Sequence, residues 1–454
     1  MSSSLPIHVV ILAAGQGTRM RSHLPKVFHP LCGVPLIEHA LTLAHNVGAH
    51  QVTGVFSPNA RSHALALKAK FQDLTLAYQE EPLGTAHALL CAKDAWADTD
   101  GIVLILFADT PLITAPTLQA LVDSFQGNET QAVCALALEA PRHPHYGRVI
   151  LEEDGCHVAR IVEMKNATKD EQDVALCNAG LMAVRMRDLR ELLPRVTPNA
   201  LTKEYYLTDL VELARESGMH VGYRTASPLE VMGINTRADL ALSESILQTQ
   251  LKTKAMENGV TFLDQMSVYL SMDTVFGQDV TLHPHLFFGK GVTVEEGATI
   301  LSFSHIEHTH IAKGATVGPF ARLRPGTHVG EDAKVGNFVE LKNTHLGKGT
   351  KVSHLTYLGD ADVGQACNIG AGTITCNYDG VNKHKTTLED GVFVGSNSTL
   401  IAPVTIGQGA YIGAGTVLTK DAPAASLTLS RAPLKEIPDG ATRLMSRQKA
   451  KKAS

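Results

Sequence analysis

Residues 8–26 read His8-Val-Val-Ile-Leu-Ala-Ala-Gly-Gln-Gly-Thr-Arg-Met-Arg-Ser-His-Leu-Pro-Lys26, an apolar run that passes into a glycine-rich loop. The run has the composition of a buried strand, and the small residues after it let main-chain N–H groups point at a phosphate. Arg19 adds a forked cation and Lys26 a point charge, and both suit phosphate oxygens. The stretch therefore predicts a strand of an α/β sheet that ends at a nucleoside triphosphate site.

Two better-known phosphate loops do not fit these residues. A P-loop needs Gly-Lys-Ser/Thr, which does not follow Gly17, and a Rossmann fingerprint needs a third glycine after Gly15-Gln16-Gly17. A tight turn without a ligand would also use Gly-x-Gly, but it would not require Thr18-Arg19 or Pro25-Lys26. The whole string resembles the signature of the sugar-phosphate nucleotidyltransferases, which join a sugar 1-phosphate to a nucleoside triphosphate.

Length and composition limit the classes of protein to which the chain can belong. A chain of 454 residues is expected to form two or three domains. A net charge of -5 with 19% charged residues gives no strong field toward nucleic acid or a membrane surface. No apolar run is long enough to span a membrane. Scattered cysteines without a Cys-x-x-Cys pair, and an N-terminus without a secretion signal, predict a reduced cytoplasmic protein.

Strand-like and helix-like runs alternate over the first half of the chain. The strand-like runs are Ile7–Leu12, Gln51–Phe56, Ile102–Phe107 and Ala132–Leu138, and the helix-like runs are Leu36–Val47 and Thr85–Ala95. This alternation predicts a Rossmann-like α/β domain over residues 1–236, with ligands at the carboxyl ends of the strands. An uninterrupted polar-apolar segment then predicts a linker helix over residues 237–259.

Beyond the linker helix, apolar residues recur every six positions. They are Leu282, Phe288, Val294, Ile300, Ile306, then after one five-residue step Ile311, Val317, Leu323, Val329, Val335 and Leu341, and later Val394, Leu400, Ile406, Ile412 and Leu418. This period fits neither a helix nor a sandwich strand, but it fits a coil of three short strands per turn. The pattern predicts a parallel β-helix over residues 260–440, and the basic residues 441–454 predict a solvated, mobile tail.

Two oxygen-bearing residues stand where an α/β domain holds a divalent cation. Asp109 comes just after the apolar run Ile102–Phe107, and Asn235 stands just before the linker helix. A carboxylate and an amide oxygen there would suit a cation that bridges phosphates. Without a ligand, Asp109 would form a turn with Thr110-Pro111 and Asn235 would cap the helix, so the residues alone leave both interpretations open.

The N-terminal half resembles, in order and spacing, the uridylyltransferase domain of the bifunctional N-acetylglucosamine-1-phosphate uridylyltransferase/glucosamine-1-phosphate N-acetyltransferase family. The resemblance is carried by residues 12–26, by Tyr78-Gln-Glu-Glu-Pro-Leu-Gly-Thr-Ala-His-Ala88 and by Asp109. It implies UTP and N-acetylglucosamine 1-phosphate as substrates, with Mg²⁺ as cofactor. The implied site residues are Leu12, Ala13 and Gly15 at the nucleotide, Arg19 and Lys26 as catalytic cations, Gln79, Gly84 and Thr85 at uracil, Gly147, Glu163 and Asn178 at the sugar, and Asp109 and Asn235 at the metal.

Polar residues interrupt the six-residue pattern on adjacent predicted coils, and a longer excursion covers Asn377–Thr387. Excursions of a solenoid usually lie on its binding face. Histidine titrates near neutral pH, so His354 is the candidate general base, and Glu340 is a candidate to orient its ring. The alternative is an inert scaffold that serves only assembly or regulation.

The string Ser353-His-Leu-Thr-Tyr-Leu-Gly-Asp360 is similar to the acetyltransferase domain of the same bifunctional family, although Ser353 stands where glycine is usual. The resemblance implies a left-handed β-helix that acetylates glucosamine 1-phosphate from acetyl-CoA, with His354 as the catalytic residue. The implied residues are Arg324, Lys342, Tyr357, Asn368 and Lys383 at glucosamine 1-phosphate, and Asn377, Tyr378, Ser396, Ala414 and Arg431 at acetyl-CoA.

Over nearly the whole chain, the resemblance implies two consecutive reactions. The C-terminal half would acetylate glucosamine 1-phosphate, and the N-terminal half would transfer uridylyl from UTP to the product and release pyrophosphate. The resulting UDP-N-acetylglucosamine feeds bacterial cell-envelope synthesis. The family likeness also implies a homotrimer with acetyltransferase sites shared between chains. The alternative function is a nucleotidyltransferase whose β-helix serves only oligomerisation or regulation.

Overall fold

The computed structural model describes residues 5–96, 100–141, 143, 146–200, 202–430 and 433–453. The chain divides into two compact units, Met1–Gln250 and Leu251–Ser454. The division falls inside the span that the sequence predicts as a linker helix. Within the described ranges, no helix combines the length and the apolar character that crossing a membrane requires.

The first unit alternates strands and helices, as the sequence predicts. Its strands are β1 Ile7–Ala13, β2 Pro30–Leu31, β3 Val34–Pro35, β4 Gln51–Phe56, β5 Leu74–Tyr78, β6 Ile102–Phe107, β7 Gln131–Glu139, β8 Arg148–Leu151, β9 Val158–Val162, β10 Leu176–Arg185 and β11 His220–Ala226. Its helices are α1 Leu36–Asn46, α2 Arg61–Lys70, α3 Thr85–Cys91, α4 Ala115–Asp123, α5 Lys169–Gln172, α6 Met186–Leu192, α7 Asp209–Glu216 and the start of α8 Arg237–Glu257. The α/β class is therefore confirmed.

The main sheet has the strand order β11-β7-β10-β6-β1-β4-β5, and the β8–β9 hairpin attaches to β10. Strand β1 runs parallel to both β4 and β6 and is buried along its whole length. Val9 and Ile11 pack into one apolar core, whereas Val10 and Leu12 pack into another on the opposite face. This two-sided burial explains why β1 is a continuous apolar run, and it brings the glycine-rich loop out at the carboxyl edge of the sheet.

Helix α8 begins with a capping box. Thr236 Oγ1 accepts the N–H of Asp239 at 3.1 Å, and the Asp239 carboxylate accepts the N–H groups of Thr236 at 2.8 Å and Asn235 at 2.9 Å. The helix ends at Glu257, two residues before the predicted end, because Gly259 has a φ of 92° that a helix does not allow. The cap therefore fixes the backbone of Asn235 directly before the helix.

The second unit is a left-handed parallel β-helix, and its strands pair in parallel from coil to coil. The strands are β12 Thr261–Phe262, β13 Val268–Tyr269, β14 Val275–Phe276, β15 Thr281–Leu282, β16 Leu286–Phe288, β17 Thr293–Val294, β18 Thr299–Ile300, β19 His305–Ile306, β20 Thr309–Ile311, β21 Thr316–Val317, β22 Arg322–Leu323, β23 Thr327–Val329, β24 Lys334–Asn337, β25 Glu340–Leu346, β26 Lys351–His354, β27 Tyr357–Val363, β28 Asn368–Ile369, β29 Ile374–Cys376, β30 Thr386–Leu388, β31 Phe393–Val394, β32 Thr399–Ile401, β33 Val404–Ile406, β34 Tyr411–Ile412, β35 Val417–Leu418 and β36 Leu427–Thr428.

The residues of the six-residue series form the core of this β-helix. They share one buried cluster, and the most exposed of them, Leu418, is only 5% exposed. The predicted excursion leaves the coil between β29 and β30, where Tyr378 pairs with Lys383 in a small antiparallel bridge. One aliphatic side chain per strand thus builds the core, while residues between them are free to face outward.

The basic segment that the sequence predicts as a mobile tail forms helix α9, Gly440–Ala453. Its described side chains are almost all exposed, as expected of a solvated segment. The helix arises because the segment contains alanine, leucine, methionine, glutamine, lysine and arginine without a proline, and these residues favour helix.

Three histidines stack on successive coils of the β-helix. The ring centroids of His310 and His328 are 4.5 Å apart, and those of His328 and His345 are 4.7 Å apart, with nearly parallel planes. His310 Nε2 lies 2.9 Å from Glu295 Oε1, and the next coil pairs His345 with Asp362. We call His310, His328 and His345 the histidine column. It lines a groove of about 1080 Å³ together with these two acidic residues.

The histidine column predicts that the β-helix loses stability in mild acid. Burial, and next the charges of His310 and His345, lower the pKa of His328. The unfolded chain therefore takes up a proton at about pH 6.5, before the folded chain does. The stability contributed by neutral His328 is complete above that pH and is lost as the pH falls toward the folded pKa.

Urea unfolding of the wild type and His328→Gln between pH 5 and pH 8 checks this expectation. The variant should show a smaller decrease of the unfolding midpoint with acid, because it lacks the group that takes up the proton. His283→Gln, in the same unit but outside the column, is the matched control. A decrease of equal size in the wild type and in His328→Gln would contradict the prediction.

Candidate active sites

The carboxyl ends of β1 and β6 border a cleft of about 520 Å³ in the first unit. Eight residues that the resemblance assigns to nucleotide, base or metal line it: Leu12, Ala13, Gly15, Lys26, Gln79, Gly84, Thr85 and Asp109. Glu204 and Tyr206 line it as well, and no motif of the sequence predicts either of them. They lie in an irregular segment before α7, where no periodic pattern drew attention to them.

Lys26 joins the two residues predicted to hold a metal. Its Nζ forms an ion pair with Asp109 Oδ2 and lies 3.2 Å from Asn235 Oδ1. The Lys26 side chain is only 9% exposed, so this ammonium belongs to the wall of the cleft. The loop after β1, the end of β6 and the start of α8 therefore bring their charged or polar groups to one point.

Backbone hydrogen bonds fix the positions of Asp109 and Asn235, the two residues that offer oxygen ligands. The N–H of Ile234 donates to the carbonyl of Asp109 at 2.8 Å, which ties the segment before α8 to the end of β6. Asp239 accepts the N–H of Asn235 and completes the clamp. A carboxylate and an amide oxygen that both reach the Lys26 ammonium form a hard oxygen donor set, which fits Mg²⁺.

The part of the cleft assigned to uracil is built around Gly84. Gln79 is buried, and its Nε2 donates to the Gly84 carbonyl at 2.9 Å. Gly84 has a φ of 104°, and a Cβ there would lie 2.5 Å from the Tyr205 carbonyl, so only glycine fits. Thr85 Oγ1 accepts the N–H of Leu207 at 3.0 Å, which holds the segment before α7 against the start of α3. Thr85 therefore also has a structural role.

The three residues assigned to the sugar lie together at the β8–β9 hairpin and β10. The N–H of Asn178 donates to the Gly147 carbonyl at 2.8 Å, and a Cβ on Gly147 would lie 3.7 Å from Glu163 Oε1. Burial raises the pKa of the Glu163 carboxyl. Burial, then Glu212 and Glu163, raise the pKa of nearby Asp209 to about 6. Such a group of carboxylates and main-chain atoms suits the hydroxyls of a sugar.

Arg19, predicted as a catalytic cation, is exposed on the loop after β1. Arg19 is not among the described residues that line the cleft. Its positive charge instead favours the ionised form of the Asp239 carboxyl. The cation inside the cleft is Lys26.

In the β-helix, the ring of His354 is oriented by Asn337 rather than by Glu340. His354 Nδ1 lies 2.6 Å from Asn337 Oδ1, because β24 and β26 pair with these two residues opposite each other. Glu340 instead accepts a hydrogen bond from Arg324 at 2.9 Å. The expectation that Glu340 orients the ring is therefore wrong. With Nδ1–H donated to the amide oxygen, Nε2 of His354 keeps the lone pair that a general base needs.

Replacing Asn337 with alanine should lower acetyl transfer through His354. Loss of one orienting hydrogen bond corresponds to roughly a tenfold lower turnover number. Steady-state kinetics over a range of sugar phosphate concentrations measure turnover and KM separately. Glu340→Gln is the comparison, and we expect it to change KM for the sugar phosphate more than turnover; the reverse pattern would contradict the assignment.

Positive charges gather next to Asp360. Lys342 Nζ lies 3.0 Å from Asp360 Oδ1, and Asn377 Nδ2 also donates to this carboxylate. Burial lowers the pKa of Lys342, but the hydrogen bond to Asp360 raises it, and the pKa of Lys342 is raised overall. Contact with Lys342 lowers the pKa of Lys383, and Arg324 lowers it further, so the three cations lie near one another. This cation cluster, Arg324, Lys342 and Lys383, suits a phosphate monoester.

The other predicted acetyltransferase residues lie on neighbouring coils. A Cβ on Gly359 would lie 2.3 Å from the Tyr357 hydroxyl and 2.8 Å from Asn377 Nδ2, so these two side chains cover Gly359. Tyr378 is 60% exposed, and its hydroxyl donates to the Gly380 carbonyl. Asn368 pairs with Lys351 on the coil before it.

The residues assigned to coenzyme A occupy a corner of small residues. Ser396 and Ala414 are exposed on successive coils, where a Cβ on Gly395 would lie 2.4 Å from the Ala414 nitrogen. This close stacking requires glycine at position 395. Arg431 lies outside the described residues.

Known proteins and protein families match both the first and the second unit of the chain. The chain matches the MobA-like NTP transferase domain over residues 9–171 and the bacterial transferase hexapeptide (six repeats) over residues 385–420. It is 42% identical over 451 residues to the bifunctional protein GlmU of Paramagnetospirillum magneticum, covering 99% of each chain. It is 45% identical over 449 residues to the bifunctional protein GlmU of Paracoccus denitrificans, again covering 99% of each chain. The same protein of Sphingopyxis alaskensis is also 45% identical over 449 residues, covering 99% of this chain and 98% of the relative.

These relatives align with both units of the chain in the same order and at nearly full length. The match therefore includes the strand-end cleft of the first unit as well as the β-helix with His354. The chain belongs to the bifunctional GlmU family.

Proposed function

We propose that the two candidate sites catalyse consecutive reactions, first acetylation at the β-helix and then uridylyl transfer at the cleft of the first unit. The chain is a bifunctional enzyme of UDP-N-acetylglucosamine synthesis, with acetyltransferase and uridylyltransferase activities. The meeting of Lys26 and Asn235 with Asp109, which follows the end of β6, supports the uridylyltransferase site most strongly. The pairing of His354 with Asn337 supports the acetyltransferase site.

Uridylyl transfer needs alignment and charge neutralisation more than proton transfer. The phosphate of N-acetylglucosamine 1-phosphate is already an anionic nucleophile at neutral pH. Its oxygen attacks the α-phosphorus of UTP in line, the bond to the bridging oxygen breaks, and pyrophosphate leaves. Lys26 and the main-chain N–H groups of residues 12–16 stabilise the charge on the phosphates during this step.

The proposed metal site explains the position of two otherwise unrelated residues. Asp109 and Asn235 would hold Mg²⁺, which would neutralise triphosphate charge and help pyrophosphate to leave. The hydrogen bonds around Ile234 and Asp239 hold both oxygens in place before the substrate arrives. The cleft is therefore preorganised for a cation bound with a nucleotide.

Acetyl transfer is a direct displacement at a thioester. The cation cluster holds the phosphate of glucosamine 1-phosphate, which leaves the sugar amine free to approach His354. His354 Nε2 accepts a proton as the amine nitrogen bonds to the acetyl carbon. The carbon–sulfur bond then breaks, and the coenzyme A thiolate leaves and takes up a proton. No covalent enzyme intermediate is required, because the acetyl group is already activated.

We also propose that the β-helix associates as a homotrimer. Phe303, Phe320 and Phe338 stack along one corner with centroids 4.8 and 5.2 Å apart, and each ring is about half exposed. Leu355, 60% exposed, extends this row of apolar side chains on the next coil. We call Phe303, Phe320, Phe338 and Leu355 the ridge. Phe338 directly follows Asn337 and Leu355 directly follows His354. A second copy that covers the ridge would therefore lie beside the proposed acetyltransferase site.

One incubation tests both activities. The protein is supplied with glucosamine 1-phosphate, acetyl-CoA, UTP and Mg²⁺, and products are identified by mass spectrometry. We expect coenzyme A, pyrophosphate and UDP-N-acetylglucosamine. No release of coenzyme A would favour the alternative in which the β-helix serves only oligomerisation or regulation. No release of pyrophosphate from UTP and N-acetylglucosamine 1-phosphate would contradict the uridylyltransferase assignment.

A further inference from the structure

Lys26 contacts both residues that are proposed for the metal. Its Nζ pairs with Asp109 and lies 3.2 Å from Asn235 Oδ1. The backbone of Lys26 is confined, because it begins the 3₁₀ turn Lys26–Phe28 after Pro25. Its Cβ also lies only 2.6 Å from the position of a Cβ on Gly17. The ammonium is therefore directed at this pair of oxygens by the fold.

A lysine ammonium and a small divalent cation cannot both occupy the position between Asp109 Oδ2 and Asn235 Oδ1. An ammonium lies about 2.8 Å from a carboxylate oxygen, whereas Mg²⁺ requires about 2.1 Å. Two positive centres so close together in a partly buried cleft would repel each other strongly. One of them has to move, and the backbones of Asp109 and Asn235 are clamped. The flexible four-carbon stem of Lys26 is the part that can move.

We propose that Lys26 is an exchangeable counter-ion of the metal site. Its ammonium neutralises Asp109 until the divalent cation and UTP arrive, and it then turns to the phosphate oxygens in the same cleft. This inference rests on the proposed uridylyltransferase function. It makes cation and nucleotide binding cooperative, because a cation alone costs the Lys26–Asp109 contact, whereas nucleotide supplies a new partner for the ammonium.

Binding of Mn²⁺ without nucleotide tests the exchange. Free Mn²⁺ is measured by electron paramagnetic resonance in titrations of the wild type and of Lys26→Met. We expect Lys26→Met to bind Mn²⁺ roughly tenfold more tightly, within the range usual for coupled binding. Adding UTP should tighten Mn²⁺ binding more in the wild type than in the variant. Equal or weaker Mn²⁺ affinity in Lys26→Met would overturn the proposal.

Arg19→Met is the matched control, because Arg19 is an exposed cation on the same loop. We expect its Mn²⁺ affinity to change by less than about twofold, as for an exposed charge. A similar gain in both variants would indicate general repulsion and would overturn the exchange.

Asp109→Asn distinguishes a failure of the proposed metal site from a failure of the exchange alone. If it binds Mn²⁺ as tightly as the wild type, Asp109 is not a ligand, and the proposed metal site fails together with the exchange. If it loses Mn²⁺ while Lys26→Met gains none, only the exchange fails. Circular dichroism and thermal unfolding establish that each variant is folded before it is titrated.

Discussion

Replacing His354 with alanine should lower acetyl transfer by roughly 10²–10⁴-fold, the usual contribution of a general base. The sugar amine then has no group to accept its proton as it attacks the thioester. The fold should remain intact, because His354 is exposed and its ring is held by a hydrogen bond to Asn337 at the surface of the coil. Uridylyl transfer from N-acetylglucosamine 1-phosphate should be unchanged, since that reaction uses residues of the other unit.

Release of coenzyme A measures the first activity of His354→Ala, and release of pyrophosphate measures the second. His283→Ala, in the same unit, is the control for the loss of a histidine. If His354→Ala keeps wild-type acetyl transfer, the base lies elsewhere. If the wild type itself transfers no acetyl group, the β-helix is an assembly module.

The architecture could be predicted because both patterns are local and repeated. The apolar run of β1 follows from burial on two faces, and the inward residues of the β-helix follow from a period that fits neither a helix nor a sandwich strand. For residues such as Val317 and Leu323, the six-residue period alone predicts that the side chain points into the core. The end of α8 was less predictable, since it depends on the conformation of Gly259.

Contacts between segments distant in sequence were harder to predict. Asn337 orients His354 only because one strand register places them opposite each other, and the six-residue period does not say which polar side chain reaches the ring. Glu340 has the better chemistry for that role, but Arg324 is its partner. Glu204 and Tyr206 enter the nucleotide cleft from an irregular segment, and irregular segments carry no periodic signal.

Replacing Lys26 with alanine should lower uridylyl transfer by roughly 10²–10³-fold, the usual cost of removing one preorganised donor in the transition state. The ammonium is nearly buried in the cleft, so water cannot fully replace its effect on the phosphates. Turnover should fall more than UTP affinity, because charge on the leaving pyrophosphate grows only as the bond breaks.

Pyrophosphate release, followed over a range of UTP concentrations, separates these two effects. Lys93→Ala, which removes an exposed lysine of the same unit, is the control and should match the wild type. Acetyl transfer serves as an internal reference, because Lys26→Ala leaves the β-helix untouched and should retain it in full. Wild-type uridylyl transfer in a folded Lys26→Ala protein would mean that another cation meets the phosphates. Arg19 would then be a residue to test, since it is another cation on the loop after β1.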